Sequence, residues 1–232
     1  MKKFQKISHR IILIFLVAFI YLEWGIISDE RAKFGIACGN PFVKEIALTF
    51  DDGPREKGMY ELINVLEKFN VKATFFLVGK FAERYSDITL KINSSGHEIA
   101  NHTYTHPKLF KLWVEKIIRE AERCDEVLNN LGIIRTRFLR PPGGKFGLEI
   151  FNAMRRYNLK LGLWNINTAD YTGRPASEII NLVVKSARPG AIILMHSGVK
   201  NTVEALPEII ENLKSRGYNF VRISDLYNEG KI

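Results

Sequence analysis

Two acids stand side by side after an apolar run. Ile46-Ala47-Leu48-Thr49-Phe50 reads as a short buried strand, and Asp51-Asp52 follow it before Gly53-Pro54 forces a turn. A carboxylate needs water, a cation or hydrogen-bond donors, and two adjacent ones repel, so a site holding both must neutralise at least one. A divalent cation does this. One Asp can ligate it while the neighbour, turned elsewhere by the bend of the chain, serves as a base. By themselves the two acids fit a solvated Asp-Gly turn equally well.

Further polar residues follow other apolar runs. After His97-Glu98-Ile99-Ala100 come His102 and His106, four apart, which a helical turn or a tight loop can aim at one ion. With Asp52 they make a His₂-carboxylate set with open positions, suited to zinc or another divalent metal that carries water. His97 falls inside the expected strand and reads as structural. In Phe138-Leu139-Arg140-Pro141-Pro142-Gly143-Gly144 the Pro and Gly residues shape a loop with exposed backbone, and Arg140 can pair with a carboxylate or lie at the surface. The stretch Leu163-Trp164-Asn165-Ile166-Asn167-Thr168-Ala169-Asp170-Tyr171 carries one acid, Asp170. His196 closes the strictly apolar Ile192-Ile193-Leu194-Met195 and precedes Ser197-Gly198.

These residues need a scaffold, and the hydrophobic pattern describes one. Apolar runs at 46–50, 73–78, 97–100, 137–139, 160–164, 191–195 and 219–223 predict strands. Amphipathic stretches at about 58–69, 80–93, 111–131, 147–157, 176–187 and 202–215 predict helices between them. Seven short strands alternating with helices imply a parallel sheet, as a barrel-like α/β fold (complete or not) or a doubly wound sheet. In both, active residues gather where strands end and loops begin, which is where the polar residues above lie. The stripe Trp113, Ile117, Ala121, Cys124, Leu128, Leu131 places Cys124 as a buried free thiol on one helix.

At 232 residues the chain can bury a full core, and one domain of ~200 residues is expected. The formal net charge is +9, of which residues 1–27 hold +3 (Lys2, Lys3, Lys6 and Arg10 against Glu23), leaving +6 for the remainder. Such a surface favours anionic polymers. No basic-aromatic stripe accompanies the charge, so nucleic acid is not an expected partner. Cys38 and Cys124 form neither a disulfide framework nor a zinc cluster.

Residues 11–22 are apolar behind a basic flank, which marks an export segment. With Trp24 to Ile27 the run approaches the length of a membrane span, and no small-residue cleavage site follows closely. The expectation is a signal anchor over 1–27, with a cleaved signal peptide as the alternative. A linker over 28–43 and a catalytic domain over 44–232 follow. The positive flank stays inside, which puts the domain outside a cell membrane, or in the secreted medium if the segment is cleaved.

The residues at the strand ends resemble the polysaccharide deacetylase family, carbohydrate esterase family four, also called the NodB homology domain. Thr49-Phe50-Asp51-Asp52-Gly53-Pro54 and His102-Thr103-x-x-His106-Pro107 are its two most specific motifs, and the likeness extends over about residues 44 to 226. The resemblance implies a distorted or incomplete (β/α) barrel of about seven strands. It implies Asp51 as general base, with Asp52, His102 and His106 as ligands of a divalent metal, zinc first and cobalt or another ion next. It further implies His196 as general acid, Arg140 paired with Asp51, Asp170 paired with His196, and Leu194 against the acetyl methyl. Three positions depart from the pattern. Gly143 stands where an aromatic is usual, although its backbone N–H can still serve the substrate. Asn167 replaces the first acid of an Asp-x-x-Asp-Trp motif, and Tyr171 replaces the Trp, still placed to meet substrate. The expected activity is metal-dependent hydrolysis of a non-peptide carbon–nitrogen bond, the N-acetyl group of an extracellular glycan, with peptidoglycan first. Chitooligosaccharide, O-acetyl xylan and a small amide are alternative substrates, and a monomer is the expected state.

Overall fold

The computed structural model describes residues 35–227, so the expected anchor over 1–27 lies outside the described residues. No helix among the described residues is long and apolar enough to cross a membrane. Among the described residues nine strands form one sheet: β1 (Gly35–Ile36), β2 (Glu45–Gly53), β3 (Thr74–Leu77), β4 (Glu98–Asn101), β5 (Phe138–Leu139), β6 (Lys160–Gly162), β7 (Ile166–Asn167), β8 (Ala191–His196) and β9 (Asn219–Phe220). Eight α-helices accompany them among the described residues: α1 (Met59–Lys68), α2 (Gly79–Arg84), α3 (Ser86–Ser94), α4 (Val114–Asn130), α5 (Leu148–Arg156), α6 (Ala176–Ser186), α7 (Lys200–Ser215) and α8 (Ile223–Leu226).

Every ladder is parallel, in the order β1-β6-β5-β4-β3-β2-β8-β7, with β9 added beside the start of β2. Among the described residues no ladder joins β1 to β7, so the sheet curls without closing. This is the incomplete (β/α) barrel rather than the doubly wound sheet. Side chains alternate across it, as strand geometry requires. Ile46, Leu48 and Phe50 of β2, with Ile193 and Met195 of β8, pack outward under the helices. Ala47, Phe76, Ala100, Phe138 and Ile192 point inward and are sealed at one end by Ile223 at the start of α8. The polar inward positions Thr49 and Asp51 therefore stack above an apolar floor.

The seven predicted strands correspond to β2, β3, β4, β5, β6, β8 and β9. The two extra strands are two-residue pairings that no periodicity announces. One lies upstream of residue 44: Gly35-Ile36, inside the expected linker, pairs with Leu161-Gly162, and Ile36 is buried in the inner cluster. The other arises because the 160–164 run leaves the ladder after Gly162 and pairs again only at Ile166. The 80–93 helix divides at Tyr85 into α2 and α3. Trp113 is not on the buried stripe of α4. It is the extended residue before the helix, φ −78° and ψ 164°, and is 72% exposed, because only residues inside the helix follow its 3.6-residue period. Cys124 is buried and free, and burial pushes its thiol up to about 12.

Candidate active site

The ladder between β2 and β8 sets Asp51 opposite His196, which brings an acid and an imidazole to the same rim of the barrel. Strand β2 continues through Gly53, past the point where the sequence predicts a turn. Neighbours on a regular strand face opposite sides. Here the register with β3 shifts between Phe50 and Gly53, and Asp52 takes a left-handed φ of 65°. Both carboxylates consequently approach one imidazole: His102 Nε2 lies 3.3 Å from Asp52 Oδ1 and 3.9 Å from Asp51 Oδ2. The expectation that the second acid turns elsewhere is replaced by two acids side by side, with different partners.

His102 follows β4, and His106 comes round a tight loop, not a helix, in which Thr103 and His106 have φ of 67° and 63°. His106 Nε2 is 3.1 Å from Asp52 Oδ1. One donor atom from each of Asp52, His102 and His106 falls within 4.8 Å of the others. The Nδ1 of His102 lies 2.7 Å from the Arg140 carbonyl oxygen, which can only accept. With a cation bound, the proton sits on Nδ1 and Nε2 turns its lone pair to the shared centre. Burial works to raise the Asp52 carboxyl, but hydrogen bonds and charge from His102 and His106 outweigh it and hold the group well below its ordinary 3.8. One ionised oxygen and two ring nitrogens, with an opening at half-exposed His106, fit a divalent cation with room for exchangeable ligands.

Arg140 lies under this set and is completely buried. Its Nη1 donates to Asp51 Oδ1 at 2.7 Å and to Thr49 Oγ1 at 2.8 Å. Nε donates to the Gly162 carbonyl at 2.7 Å and Nη2 to that of Leu163 at 3.0 Å. The guanidinium also packs over the Phe76 ring at 3.9 Å. A buried charge is tolerable only when paired and hydrogen-bonded this fully.

On the other side, Asp170 is fully buried and holds His196 by two bonds. The His196 N–H donates to Oδ2 at 2.7 Å, and Nδ1 lies 2.7 Å from Oδ1. The hydroxyl of Thr202, on α7, donates to the same Oδ2 at 2.6 Å. Burial would lower the His196 pKa, but the bond and charge of Asp170, with Asp51 and Asp52 behind, raise it above 6.5. The arrangement joins a candidate three-ligand centre, a clamped carboxylate and an imidazole held by a buried acid, the parts needed to activate water against an amide or ester.

A family model described as polysaccharide deacetylase matches residues 39–162, more than half of the chain. The chain belongs to the polysaccharide deacetylase family. The peptidoglycan-N-acetylglucosamine deacetylase of Bacillus cereus is 36% identical over 204 residues, 86% of this chain and 74% of that protein. A crystal structure of a peptidoglycan N-acetylglucosamine deacetylase superposes with a TM-score of 0.81 at 33% identity, covering 86% of this chain and 94% of that one. A mutant of a family-four pseudoenzyme with restored enzymatic activity superposes with a TM-score of 0.80 at 30% identity, covering 84% and 71%. The deacetylase fold thus carries both active and inactive members, and the side chains decide.

The three departures from the polysaccharide deacetylase pattern each have a visible setting. Gly143 has φ 68° and open space beside its Cα, so an aromatic there would be strained by its backbone but not by its neighbours. Asn167 accepts the Ala169 N–H on Oδ1 at 2.9 Å and caps the turn that delivers Asp170. Tyr171 is 62% exposed, and its ring stands edge-on to His196 with 5.0 Å between centroids. Leu194 is buried two residues before His196, on the inward face, and belongs to none of the three apolar clusters. Two supporting residues escape the sequence reading. Thr49 lies two residues before Asp51, and the strand period alone puts it on the same face. Thr202 reaches Asp170 across 32 residues from α7, and no local signal marks it.

Proposed function

We propose that this chain is a metal-dependent deacetylase that hydrolyses the N-acetyl group of an extracellular glycan, with peptidoglycan as substrate and chitooligosaccharide next. The observation that carries the reading is the convergence of Asp52, His102 and His106 beside Asp51, with His196 opposite, paired to buried Asp170. Asp52, His102 and His106 would hold a divalent cation, zinc in this reading, which would supply Lewis acidity toward the acetamide carbonyl and a water. Asp51 takes the proton of the attacking water. Arg140 occupies its Oδ1, which leaves Oδ2 on the His102 side for that proton. His196 gives its proton to the departing amine, and Asp170 keeps the imidazolium charged and oriented until it does. The Gly143 N–H stabilises the oxyanion, Leu194 meets the acetyl methyl, and Tyr171 meets a sugar ring.

The solvent-open rim at His106 and Tyr171 favours a polymer over an enclosed small amide. The basic charge favours an anionic wall, and the name of the Bacillus cereus relative favours peptidoglycan. The apolar N-terminal run supports a tether to the membrane with the domain outside. The test is acetate release by purified residues 28–232 on peptidoglycan and on chitin oligomers, with zinc or cobalt. Release is expected to stop with a chelator and return with metal. A chelator that leaves the rate unchanged, or no release from either polymer, overturns the reading.

A further inference from the structure

The two imidazoles are not held in the same way. His102 is oriented by its Nδ1 on the Arg140 carbonyl. The His106 ring has no such bond among the described residues, so its place depends on the backbone that delivers it. That backbone is a loop with two left-handed non-glycine residues, Thr103 and His106, a conformation that a Cβ disfavours. Something outside the loop must impose it.

Helix α4 does so from one side. Glu120 Oε2 accepts the Tyr104 N–H at 3.1 Å and the Thr105 N–H at 2.8 Å, and Oε1 accepts the Thr105 hydroxyl at 2.8 Å. Asn101 takes the Thr103 N–H at 2.7 Å and is anchored on α4 through the Ala121 carbonyl and Asp125. From the other side, the first N–H groups of α2 at Gly79 and Lys80 donate to the Thr103 and Tyr104 carbonyls, at 2.9 Å and 3.0 Å. The His106 N–H closes on Thr103 Oγ1 at 3.1 Å. Every amide from 103 to 106 is thus occupied, and Glu120 is the charged acceptor, binding the two just before His106.

We propose that Glu120 is a positioning residue for the cation site: by holding the amides of Tyr104 and Thr105 it sets where His106 stands against Asp52 and His102, and with that the affinity for the metal. The proposal rests on the metal-dependent reading above. Glu120 touches no ligand atom and acts through the loop. A glutamine keeps an acceptor oxygen in the same place, whereas an aspartate keeps the charge but is one methylene too short to reach both amides.

The test uses the full chain in detergent, as wild type, E120Q, E120D and E120A. Zinc affinity is read by competition with a chelating dye, and the ligand geometry by the visible absorption of bound cobalt. Loss of an outer partner of a metal ligand weakens binding roughly 10–100-fold, and that loss is expected for E120D and E120A, with an altered cobalt band. E120Q is expected to stay close to wild-type affinity with an unchanged band. Should E120A lose its fold, E120D against E120Q carries the comparison. Wild-type affinity and spectrum in a folded E120D overturn this proposal alone. A wild type that binds neither metal overturns the metal-dependent reading and this proposal with it.

Discussion

The carbonyl oxygen of Arg140 stands 2.7 Å from Nδ1 of His102, while the guanidinium of the same residue clamps Asp51 at 2.7 Å. One residue thus orients a proposed cation ligand through its backbone and the proposed base through its side chain. Substitution separates the two roles. Arg140→Lys keeps the carbonyl, so zinc affinity is expected to stay near wild type while turnover falls. Arg140→Ala leaves Asp51 buried and unpaired, and is expected to cost roughly 3–5 kcal/mol in urea unfolding. Loss of zinc binding in Arg140→Lys would count against this division.

The two neighbouring acids are expected to fail differently. Asp51→Asn removes a base outside the ligand set and should lower turnover roughly 10²–10⁴-fold with metal still bound. Asp52→Ala and His102→Ala remove ligands and should lose the metal. Metal content by atomic absorption, set beside acetate release, separates the two outcomes, and an Asp51→Asn enzyme at full rate would remove Asp51 from the mechanism.

In the proposed mechanism the alkaline limit of turnover falls to His196. Burial acts to lower its pKa, yet Asp170 lifts it above 6.5. The imidazolium is fully present below the ordinary value and is lost as pH rises through the raised one, so turnover should fall off at a pH above 6.5. Asp170→Asn removes the negative charge that helps raise it, and is expected to move that limb to lower pH with a reduced maximum. A pH–rate profile of the variant that keeps the wild-type limb would show that Asp170 does not control the proton.

A different histidine governs acid stability. His97 accepts the Ala73 N–H on Nδ1 at 3.3 Å, and its buried Nε2 has no partner. Burial, helped by Lys72 and Lys91, pushes it down to about 4 from 6.5. As pH falls below 6.5 the unfolded chain takes up this proton first. The folded state should therefore lose on the order of 3 kcal/mol between 6.5 and 4, after which the loss levels off. Metal-free His97→Leu is expected to show a flatter stability curve than metal-free wild type over that window in urea unfolding at stepped pH. Parallel curves would exclude His97 as the source.

Much of this protein is legible from local pattern. Seven strands, the helices between them and the placement of Asp51, Asp52, His102, Arg140 and His196 at strand ends all follow from apolar runs of strand or helix period interrupted by polar residues. Such signals reside within a few residues of one another, because a buried face repeats along its own element. The two-residue strands β1 and β7 are too short to repeat anything, and Trp113 matches a helical period while standing just outside the helix.

What the chain alone determined is which residues are candidates for chemistry and the kind of fold that gathers them. Only the tertiary structure decided how they meet. Arg140 and Asp51 are 89 residues apart, and β5, β4, β3 and β2 must lie side by side before the guanidinium can reach the carboxylate. Asp51 and Asp52 face one imidazole because a register shift and a left-handed residue break the strand's alternation. Neither feature has a local signature, since each depends on backbone partners contributed by distant parts of the sheet.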